Sequence, residues 1–314
     1  MNWLHDFEDE LTAVFAEAER RLASFPSPLN EAGERYLNAF HPLRRESTKN
    51  YICYLLPYWL LGLAGEAESA KTACRRMAVA NVFVMLHFFL LDDVMDEPGE
   101  GGKEKLALAS LMQTQYMDVY VSLFRADSPF WTLYRQYVSE WAAGVSGERP
   151  DGDLFGDPVR IAHKASPVKL ASSGLLLLAG QGESIGPVSE AIDQVLVSLQ
   201  MADDRADWRE DLRLGNANCL LALVRKERGE TNGRELTEKD VKAAIYVSGC
   251  LERYAEIAAE RHRRLLKAKP AVPHLLAFHG HLADALARDA AAVVKERWAL
   301  LAGGFSYMLS KYAK

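Results

Sequence analysis

The chain has 314 residues, and 49% of them are hydrophobic, which is enough for a sizeable core. Its formal net charge of −6 argues against a nucleic-acid-binding protein, because such proteins rely on a basic surface. The four cysteines show neither C-x-x-C spacing nor the spacing of zinc ligands. Because we find no signal peptide, we expect reduced core thiols in a cytoplasmic protein. These cysteines are Cys53, Cys74, Cys219 and Cys250.

Helical periodicity runs through almost the whole chain, and no segment alternates as a β-strand does. An amphipathic helix is predicted over residues 1–24, and Ser27–Pro28 marks a break before a short second helix. Further helices are predicted at about 45–65, 68–97, 103–125, 128–145, 158–180, 187–213, 215–229, 236–268, 273–300 and 304–313. The pattern predicts an all-α fold with a single domain over residues 1–314.

The sequence also predicts where loops lie between the helices and whether any helix could span a membrane. Gly147–Asp157 (GERPDGDLFGD) is the clearest loop, and turns are predicted at Gly182–Pro187 and Gly229–Gly233. The longest apolar runs, Tyr51–Ala64 and Met77–Leu91, fall short of the roughly 20 residues that a membrane span requires. We therefore expect buried core helices and no integral membrane segment.

An acidic cluster follows the most apolar stretch of the chain. Met77–Glu97 reads MAVANVFVMLHFFLLDDVMDE and ends in Asp92, Asp93 and Asp96. At about 100° per residue, Asp92 and Asp96 lie one turn apart on one helix face, with Asp93 beside them. Like charges this close raise one another's pKa unless a cation lies among them. Oxygen ligands without His or Cys favour Mg²⁺, which usually takes one or two carboxylates plus substrate phosphates.

A second acidic run follows another apolar helix. Gln200–Gly215 reads QMADDRADWREDLRLG, and on a helix its aspartates fall within roughly a third of the circumference. These aspartates are Asp203, Asp204, Asp207 and Asp211. Two such helices facing each other would hold a metal-bound diphosphate between their carboxylates, while the apolar walls receive a hydrocarbon tail. The competing interpretations are a solvated helix end for the first cluster and a salt-bridged surface helix for the second.

These motifs resemble those of the class I isoprenoid synthases. LDDVMD resembles the first aspartate-rich motif, DDxxD, of that superfamily, and LQMADDRAD resembles the second DDxxD of its trans-polyprenyl synthase branch, including Gln200. His163–Lys164–Ala165 resembles the place where that branch carries a diphosphate-binding lysine. The resemblance covers roughly Pro42 to the last residue. It implies a helical bundle with a central apolar cavity, a cluster of Mg²⁺ ions, a prenyl diphosphate substrate and a possible homodimer.

The resemblance also implies roles for individual residues. Asp92, Asp93, Asp96 and Asp207 would be catalytic, and all seven aspartates, including Asp203, Asp204 and Asp211, would bind metal. Lys164 and Arg213 would neutralise the diphosphate, although Arg213 reaches it only if the helix loosens ahead of Gly215. Phe88 and Phe89 would line the cavity, where bulk limits product length or a ring stabilises a carbocation; the alternative is ordinary core aromatics. His279 and His281 are expected to be structural, because no third ligand accompanies them.

The donor site decides between the enzyme classes. A chain-elongating prenyltransferase binds a second diphosphate through a GKRxRP-like segment before the first motif and Arg-Arg after it. This sequence has only Arg44–Arg45 and Lys49 in HPLRRESTKN, and EPGEGGKEK after the motif. The sequence therefore favours a class I terpene synthase, which ionises one linear prenyl diphosphate and releases diphosphate and a terpene.

Three alternatives remain open. A chain-elongating prenyltransferase stays possible if another donor site exists. The Asn/Ser/Glu triad of familiar bacterial terpene cyclases is missing, and Asp207-x-x-x-Asp211, flanked by Gln200 and Gly215, is also similar to the second motif of squalene and phytoene synthases. A head-to-head condensing prenyltransferase is therefore the second alternative. The third is a non-catalytic helical protein that binds a prenyl chain, although clustered carboxylates are costly to keep without a metal.

Overall fold

The computed structural model describes residues 3–65, 67–96, 101–147, 158–229, 235–268 and 270–312, without the side chains of Asp96 and of residues 304–312. No strand occurs in these ranges, so the all-α prediction is confirmed. The helices are α1 (Glu8–Leu22), α2 (Leu29–Ala39), α3 (Tyr51–Trp59), α4 (Leu61–Ala64), α5 (Glu68–Asp96), α6 (Gly102–Leu123), α7 (Phe130–Ser146), α8 (Val159–His163), α9 (Lys169–Leu178), α10 (Ile185–Leu214), α11 (Cys219–Arg228), α12 (Glu238–Tyr246), α13 (Cys250–Ala268) and α14 (Pro273–Tyr312).

Several helix boundaries differ from the predicted ones. The single helix predicted over 236–268 is wrong: α12 and α13 are separate, and Gly249 between them has φ of 75°, which favours glycine. The helix predicted over 158–180 is interrupted by the 3₁₀ turn Ser166–Val168, where Pro167 lacks a backbone N–H. The segment predicted as a helix from residue 45 begins only at Tyr51.

Near the end of the chain, the structure has one continuous helix where two were predicted. A break was predicted between residues 300 and 304, but α14 continues through them to Tyr312. Adjacent glycines there lower helix propensity without obstructing a helix, so the sequence pattern overstated the break. The predicted loop Gly147–Asp157 lies outside the described residues except for Gly147.

The chain divides into two compact units. Unit 1 comprises Met1–Trp141, Ala165–Ile192 and Ala271–Leu275, and unit 2 comprises Ala142–Lys164, Asp193–Pro270 and Leu276–Lys314. The first acidic motif lies in unit 1 and the second in unit 2. The organisation as one domain over residues 1–314 stays a prediction.

Unit 1 is built around α5. This helix packs against α6, α3, α9 and α1, and its residues from Met77 to Phe88 are all buried. A helix that is apolar on every side must be enclosed by other elements. Gly174 permits a close approach of α9 to α5, because a Cβ atom there would lie 2.5 Å from Cε of Met77 and 3.1 Å from the ring of Phe124.

The same helix is the candidate membrane span among the described residues. Its range Glu68–Met95 is long and apolar enough by length and composition, with a mean hydropathy of 1.7 in the most apolar window. However, 72% of that window is buried inside the protein, as in a core helix of a folded domain. The burial therefore matches the expectation of a core helix.

Unit 2 is held together partly by buried polar contacts. The hydroxyl of Tyr254 on α13 donates a hydrogen bond of 2.9 Å to the carbonyl of Met201 on α10. His279 on α14 lies 2.7 Å from the hydroxyl of Ser198 and 3.0 Å from Nδ1 of His262. Burial, followed by the nearby His262 and Arg261, lowers the pKa of His279 to about 4. This histidine thus connects three helices as a neutral side chain.

Candidate active site

The first motif extends from the end of α5 toward α2 and α6. The hydroxyl of Tyr36 on α2 donates a hydrogen bond of 3.1 Å to Asp93, and Nζ of Lys105 on α6 lies 3.7 Å from the same carboxylate. Burial, and then the charge of Asp93, raise the pKa of Tyr36 well above its ordinary value, so the phenol remains a donor. Asp93 therefore has a partner on each side within unit 1.

The two predicted cavity aromatics have different surroundings. Phe89 is half-buried, and its ring centroid lies 5.2 Å from that of Phe40, which directly follows α2. Phe88 is buried, and its ring lies edge-on to Trp141 at 4.7 Å. Phe89 thus shares a surface with the α2 face that binds Asp93, whereas Phe88 lies within an aromatic cluster. Their contact with a substrate stays a prediction.

The remaining aspartates of the first motif are described only in part. Asp92 is half-buried, and the side chain of Asp96 lies outside the described residues. Among the side chains that are described, no three His, Cys, Asp or Glu residues come close enough together to hold a metal ion. The metal-binding role of these aspartates stays a prediction.

In the second motif, the carboxylate of Asp204 is buried and hydrogen-bonded to other groups of the protein. Its carboxylate accepts hydrogen bonds from the backbone N–H of Cys219, at 2.5 Å, and from the side-chain amide of Gln200, at 2.7 Å. The side chain is only 4% exposed. Burial raises the pKa of Asp204, and these hydrogen bonds oppose the rise. Its contacts are those of a structural acceptor at the beginning of α11.

Asn218 connects this acceptor to Asp211. It caps α11 by accepting hydrogen bonds from the N–H groups of Leu220 and Leu221. Its own amide donates to the carbonyl of Asp204, at 2.8 Å, and to the carboxylate of Asp211, at 2.7 Å. The loop after α10 is therefore folded back onto two of the four aspartates.

Asp203 and Asp207 are placed differently. They lie four residues apart on one face of α10 and are exposed, and among the described residues neither has a hydrogen-bond or ion-pair partner. Although solvent reaches Asp203, the protein surrounds its carboxyl closely enough that desolvation, followed by the charges of Asp204 and Asp207, raises the pKa of Asp203 to about 6. Desolvation and then Asp211 raise the pKa of Asp207. Desolvation, together with acidic neighbours that no cation compensates, produces such shifts.

Lys164 lies in the same unit as the second motif. It is half-buried at the end of α8, and its charge lowers the pKa of the buried Cys219 thiol, which burial otherwise raises well above the ordinary value. Gly144 on α7 lets this backbone approach, since a Cβ atom there would lie 3.0 Å from the backbone nitrogen of Lys164. Lys164 is thus near the beginning of α11, and its contact with a diphosphate stays a prediction.

A substrate-binding role for Arg213 requires that the helix loosen ahead of Gly215, and the structure does not show this. Helix α10 continues to Leu214, and the chain turns only at Gly215, where φ is 77°. The guanidinium lies 3.4 Å from Glu210 and is largely exposed. Because the helix does not loosen ahead of Gly215, a role for Arg213 in binding substrate has no support from this geometry and stays a prediction.

The donor chemistry of Asp203 and Asp207 fits Mg²⁺. Both offer exposed carboxylate oxygens at the helical spacing of one turn. Desolvation is the first cause of the raised pKa of Asp203, and the charges of Asp204 and Asp207, which a divalent cation would offset, are the second. Each carboxylate oxygen of Asp204 already accepts a hydrogen bond, one from Gln200 and one from Cys219, and the side chain is buried. Within unit 2, the residues that would hold the ion are therefore Asp203 and Asp207.

The fold was compared with known proteins. A geranylgeranyl pyrophosphate synthase from Lactobacillus brevis ATCC 367 superposes with a TM-score of 0.65, over 90% of this chain and 96% of that chain, at 19% sequence identity. This chain has the isoprenoid synthase fold. No family model and no curated protein matches the sequence. The fold implied by the two acidic motifs is thereby confirmed.

Sequence reasoning missed the residues that hold the aspartates in place. Tyr36 lies 57 residues before Asp93, and Lys105 lies on the next helix, α6, so only the folded structure brings both to Asp93. Asn218 was recognisable in principle, because an asparagine directly before an apolar helical run is a typical N-cap. Its bonds to Asp204 and Asp211 depend on the turn at Gly215 and could not be read from spacing alone.

Proposed function

We propose that the protein is a Mg²⁺-dependent prenyltransferase that ionises an allylic prenyl diphosphate and joins the resulting cation to a second isoprenoid. The observation that carries the proposal is the pair of exposed carboxylates, Asp203 and Asp207, at the end of an apolar helix. They stand in a second motif of the trans-polyprenyl type, on a fold similar to that of a geranylgeranyl pyrophosphate synthase.

Different residues would have different roles in the ionisation of the prenyl diphosphate. In unit 1, Asp92, Asp93 and Asp96 would hold cations. In unit 2, Asp203 and Asp207 would do so, and Lys164 would neutralise diphosphate oxygens as a point charge. Mg²⁺, when bound, stabilises the leaving diphosphate as a Lewis acid and template. Apolar residues behind the aspartates, Phe89 among them, would keep water from the cation so that it reacts with a carbon nucleophile.

A prenyltransferase also needs a place for the diphosphate of its second substrate. Arg44 and Arg45 line a surface pocket of about 380 Å³ in unit 1, together with Asn38, Ala39, Glu46 and Ser47. Two exposed guanidinium groups suit a phosphate, because each presents a fork of donors. Lys49 is less available, since its ammonium group donates to the carbonyls of His41 and Arg44 in its own loop. We therefore assign this role to the arginine pair.

The dependence on a second substrate tests the proposal. Purified protein with Mg²⁺ is given geranyl, farnesyl or geranylgeranyl diphosphate, each with and without isopentenyl diphosphate. We expect a longer prenyl diphosphate only when both substrates are present. Arg44→Ala combined with Arg45→Ala should raise KM for isopentenyl diphosphate, while Arg135→Ala, an exposed arginine on α7, should leave it unchanged. Equal turnover without isopentenyl diphosphate would contradict a chain-elongating enzyme.

A terpene synthase is the second candidate, because the GKRxRP-like segment and the Arg-Arg pair are missing and Lys105, after the first motif, pairs with Asp93. Such an enzyme would consume one allylic diphosphate alone and release a hydrocarbon or alcohol. A product with twice the carbons of its substrate would instead indicate head-to-head condensation. Binding of a prenyl chain without release of diphosphate would indicate a non-catalytic protein.

A further inference from the structure

A positively charged side chain lies against the first acidic motif. Nζ of Lys105, near the beginning of α6, lies 3.7 Å from Oδ2 of Asp93, and the hydroxyl of Tyr36 donates to the same oxygen at 3.1 Å. All three residues belong to unit 1. Burial, and then the charge of Asp93, raise the pKa of Tyr36, so its hydroxyl stays neutral. Of these two partners, Lys105 is the one that brings a charge to Asp93.

The contact between Lys105 and Asp93 can break without disturbing the fold. Their side chains are 32% and 39% exposed, and an ion pair that water reaches contributes little to stability. Lysine carries its charge on a flexible stem of four carbons, so the ammonium group can move while α6 stays in place. Leu108 and Ala109, in the next turn, are buried and hold α6 against α5.

A divalent cation on Asp93 would change the balance of charges around Lys105. Mg²⁺ bound to this carboxylate would lie within a few ångströms of the ammonium group, and the two positive charges would repel each other. Mg²⁺ on a carboxylate usually takes substrate phosphates as further ligands. The diphosphate would therefore offer the displaced ammonium group a new anionic partner, and lysine suits phosphate oxygens as a point charge.

We propose that Lys105 binds Asp93 until a divalent cation takes its place, and then binds the diphosphate group of the substrate. This inference rests on the proposed function and concerns the same site. Lys105 competes with Mg²⁺ alone, but it stabilises Mg²⁺ together with a diphosphate. Metal ion and diphosphate should therefore bind the first motif cooperatively, because the diphosphate compensates the ammonium group that the metal ion displaces.

Two dissociation constants, measured by isothermal titration calorimetry, separate this role from a structural one. The first is the Kd for Mg²⁺ alone, and the second is the Kd for inorganic diphosphate at saturating Mg²⁺. Lys105→Met keeps an unbranched stem and removes the charge. The Kd for Mg²⁺ should fall roughly 2- to 5-fold, because a competing cation is lost. The Kd for diphosphate should rise roughly 10- to 100-fold, because a charge-assisted hydrogen bond is lost.

Matched variants isolate the effect of this one ammonium group. Lys103→Met removes the same charge from an exposed lysine two residues earlier on α6, and it should leave both constants unchanged. Lys105→Arg keeps a cation and should restore most of the affinity for diphosphate. Asp203→Asn and Asp207→Asn, carried by every protein in the titration with Mg²⁺ alone, restrict that measurement to the first motif. Circular dichroism should show that each variant is folded.

The inference predicts opposite signs for the two constants, which a purely structural ion pair does not. A rise of both constants in Lys105→Met, or an unchanged Kd for diphosphate, would overturn it. Equal effects of Lys103→Met and Lys105→Met would also overturn it, because net charge alone would explain them. Failure of the wild type to bind diphosphate in the presence of Mg²⁺ would instead contradict the proposed function itself, so the two failures are distinguishable.

Discussion

At the end of α5, the partners of Asp93 among the described residues are two side-chain groups, the hydroxyl of Tyr36 and the ammonium group of Lys105. At the end of α10, Asp204 is held by a backbone N–H at the beginning of another helix and is almost fully buried. A side-chain partner on the surface can rotate away when a metal or a phosphate binds. A buried backbone donor cannot, because it would be left without a hydrogen bond.

This difference suggests that the two acidic motifs are not equivalent. The first motif would exchange the partners of Asp93 when substrate binds, so that Tyr36 and Lys105 compete with the cation. The second motif separates the tasks among its residues: Asp204 and Asp211 fix the loop before α11, and Asp203 and Asp207 remain exposed. Two DDxxD sequences that look alike would then contribute different numbers of metal ligands.

The largest effect is expected from the exposed pair. Asp203→Asn and Asp207→Asn each remove a charged oxygen ligand, and turnover of a prenyl diphosphate should fall roughly 100-fold or more. The same loss is expected for Asp92→Ala in the first motif. Circular dichroism should show an unchanged helical content in each variant, and kcat is the quantity to measure. Wild-type kcat in either Asp203→Asn or Asp207→Asn would refute their assignment as metal ligands.

Asp204 should behave in the opposite way and affect stability first. Asp204→Ala leaves the buried N–H of Cys219 without an acceptor, which costs about 1–3 kcal/mol of the free energy of unfolding. Urea unfolding in EDTA measures this cost without any contribution from bound metal. Asp204→Asn is the matched control, because it keeps an acceptor oxygen and should lose less. If Asp204→Ala were as stable as the wild type, the structural role of this carboxylate would be excluded.

The central position of α5 could be predicted from the sequence, whereas the different roles of the aspartates on α10 could not. An apolar run such as Met77–Phe88 has to be enclosed, so the central position of α5 follows from composition. The division of labour among the four aspartates of α10 does not follow from their spacing, because all four share one side of the helix. It depends on the turn at Gly215, which brings Asn218 and Cys219 back to Asp204. Long-range contacts of this kind leave no periodic signal.

The break between α12 and α13 illustrates the same limit at the level of secondary structure. Apolar residues continue through Val247, and a single glycine, Gly249, gave too weak a signal to divide the predicted helix. In the structure α12 ends at Tyr246, and the positive φ of Gly249 turns the chain directly before α13 begins at Cys250. The break predicted between residues 300 and 304 was wrong for the opposite reason. Two adjacent glycines there were taken to end the helix, although a helix can accommodate them.

The smallest effect, and the most specific to the exposed pair, concerns pH. Burial and the charges of Asp204 and Asp207 raise the pKa of Asp203 to about 6, whereas an aspartate in the unfolded chain titrates near 4. Between these values the folded protein binds more protons than the unfolded one. Asp203 therefore lowers the free energy of unfolding increasingly as the pH rises from about 4 through about 6, and by a constant amount above that.

Asp203→Asn should therefore raise the melting temperature of the metal-free protein at about pH 7.5 and leave it nearly unchanged at about pH 4. Thermal unfolding in EDTA at both values measures the difference. Because solvent reaches this carboxylate, the gain should be smaller than the pKa shift alone implies. Added Mg²⁺ should reverse the order at the higher pH, since only the wild type keeps the full set of ligands and gains stability from the bound ion. An equal change at both pH values would instead indicate that the substitution acts through packing rather than through the charge of Asp203.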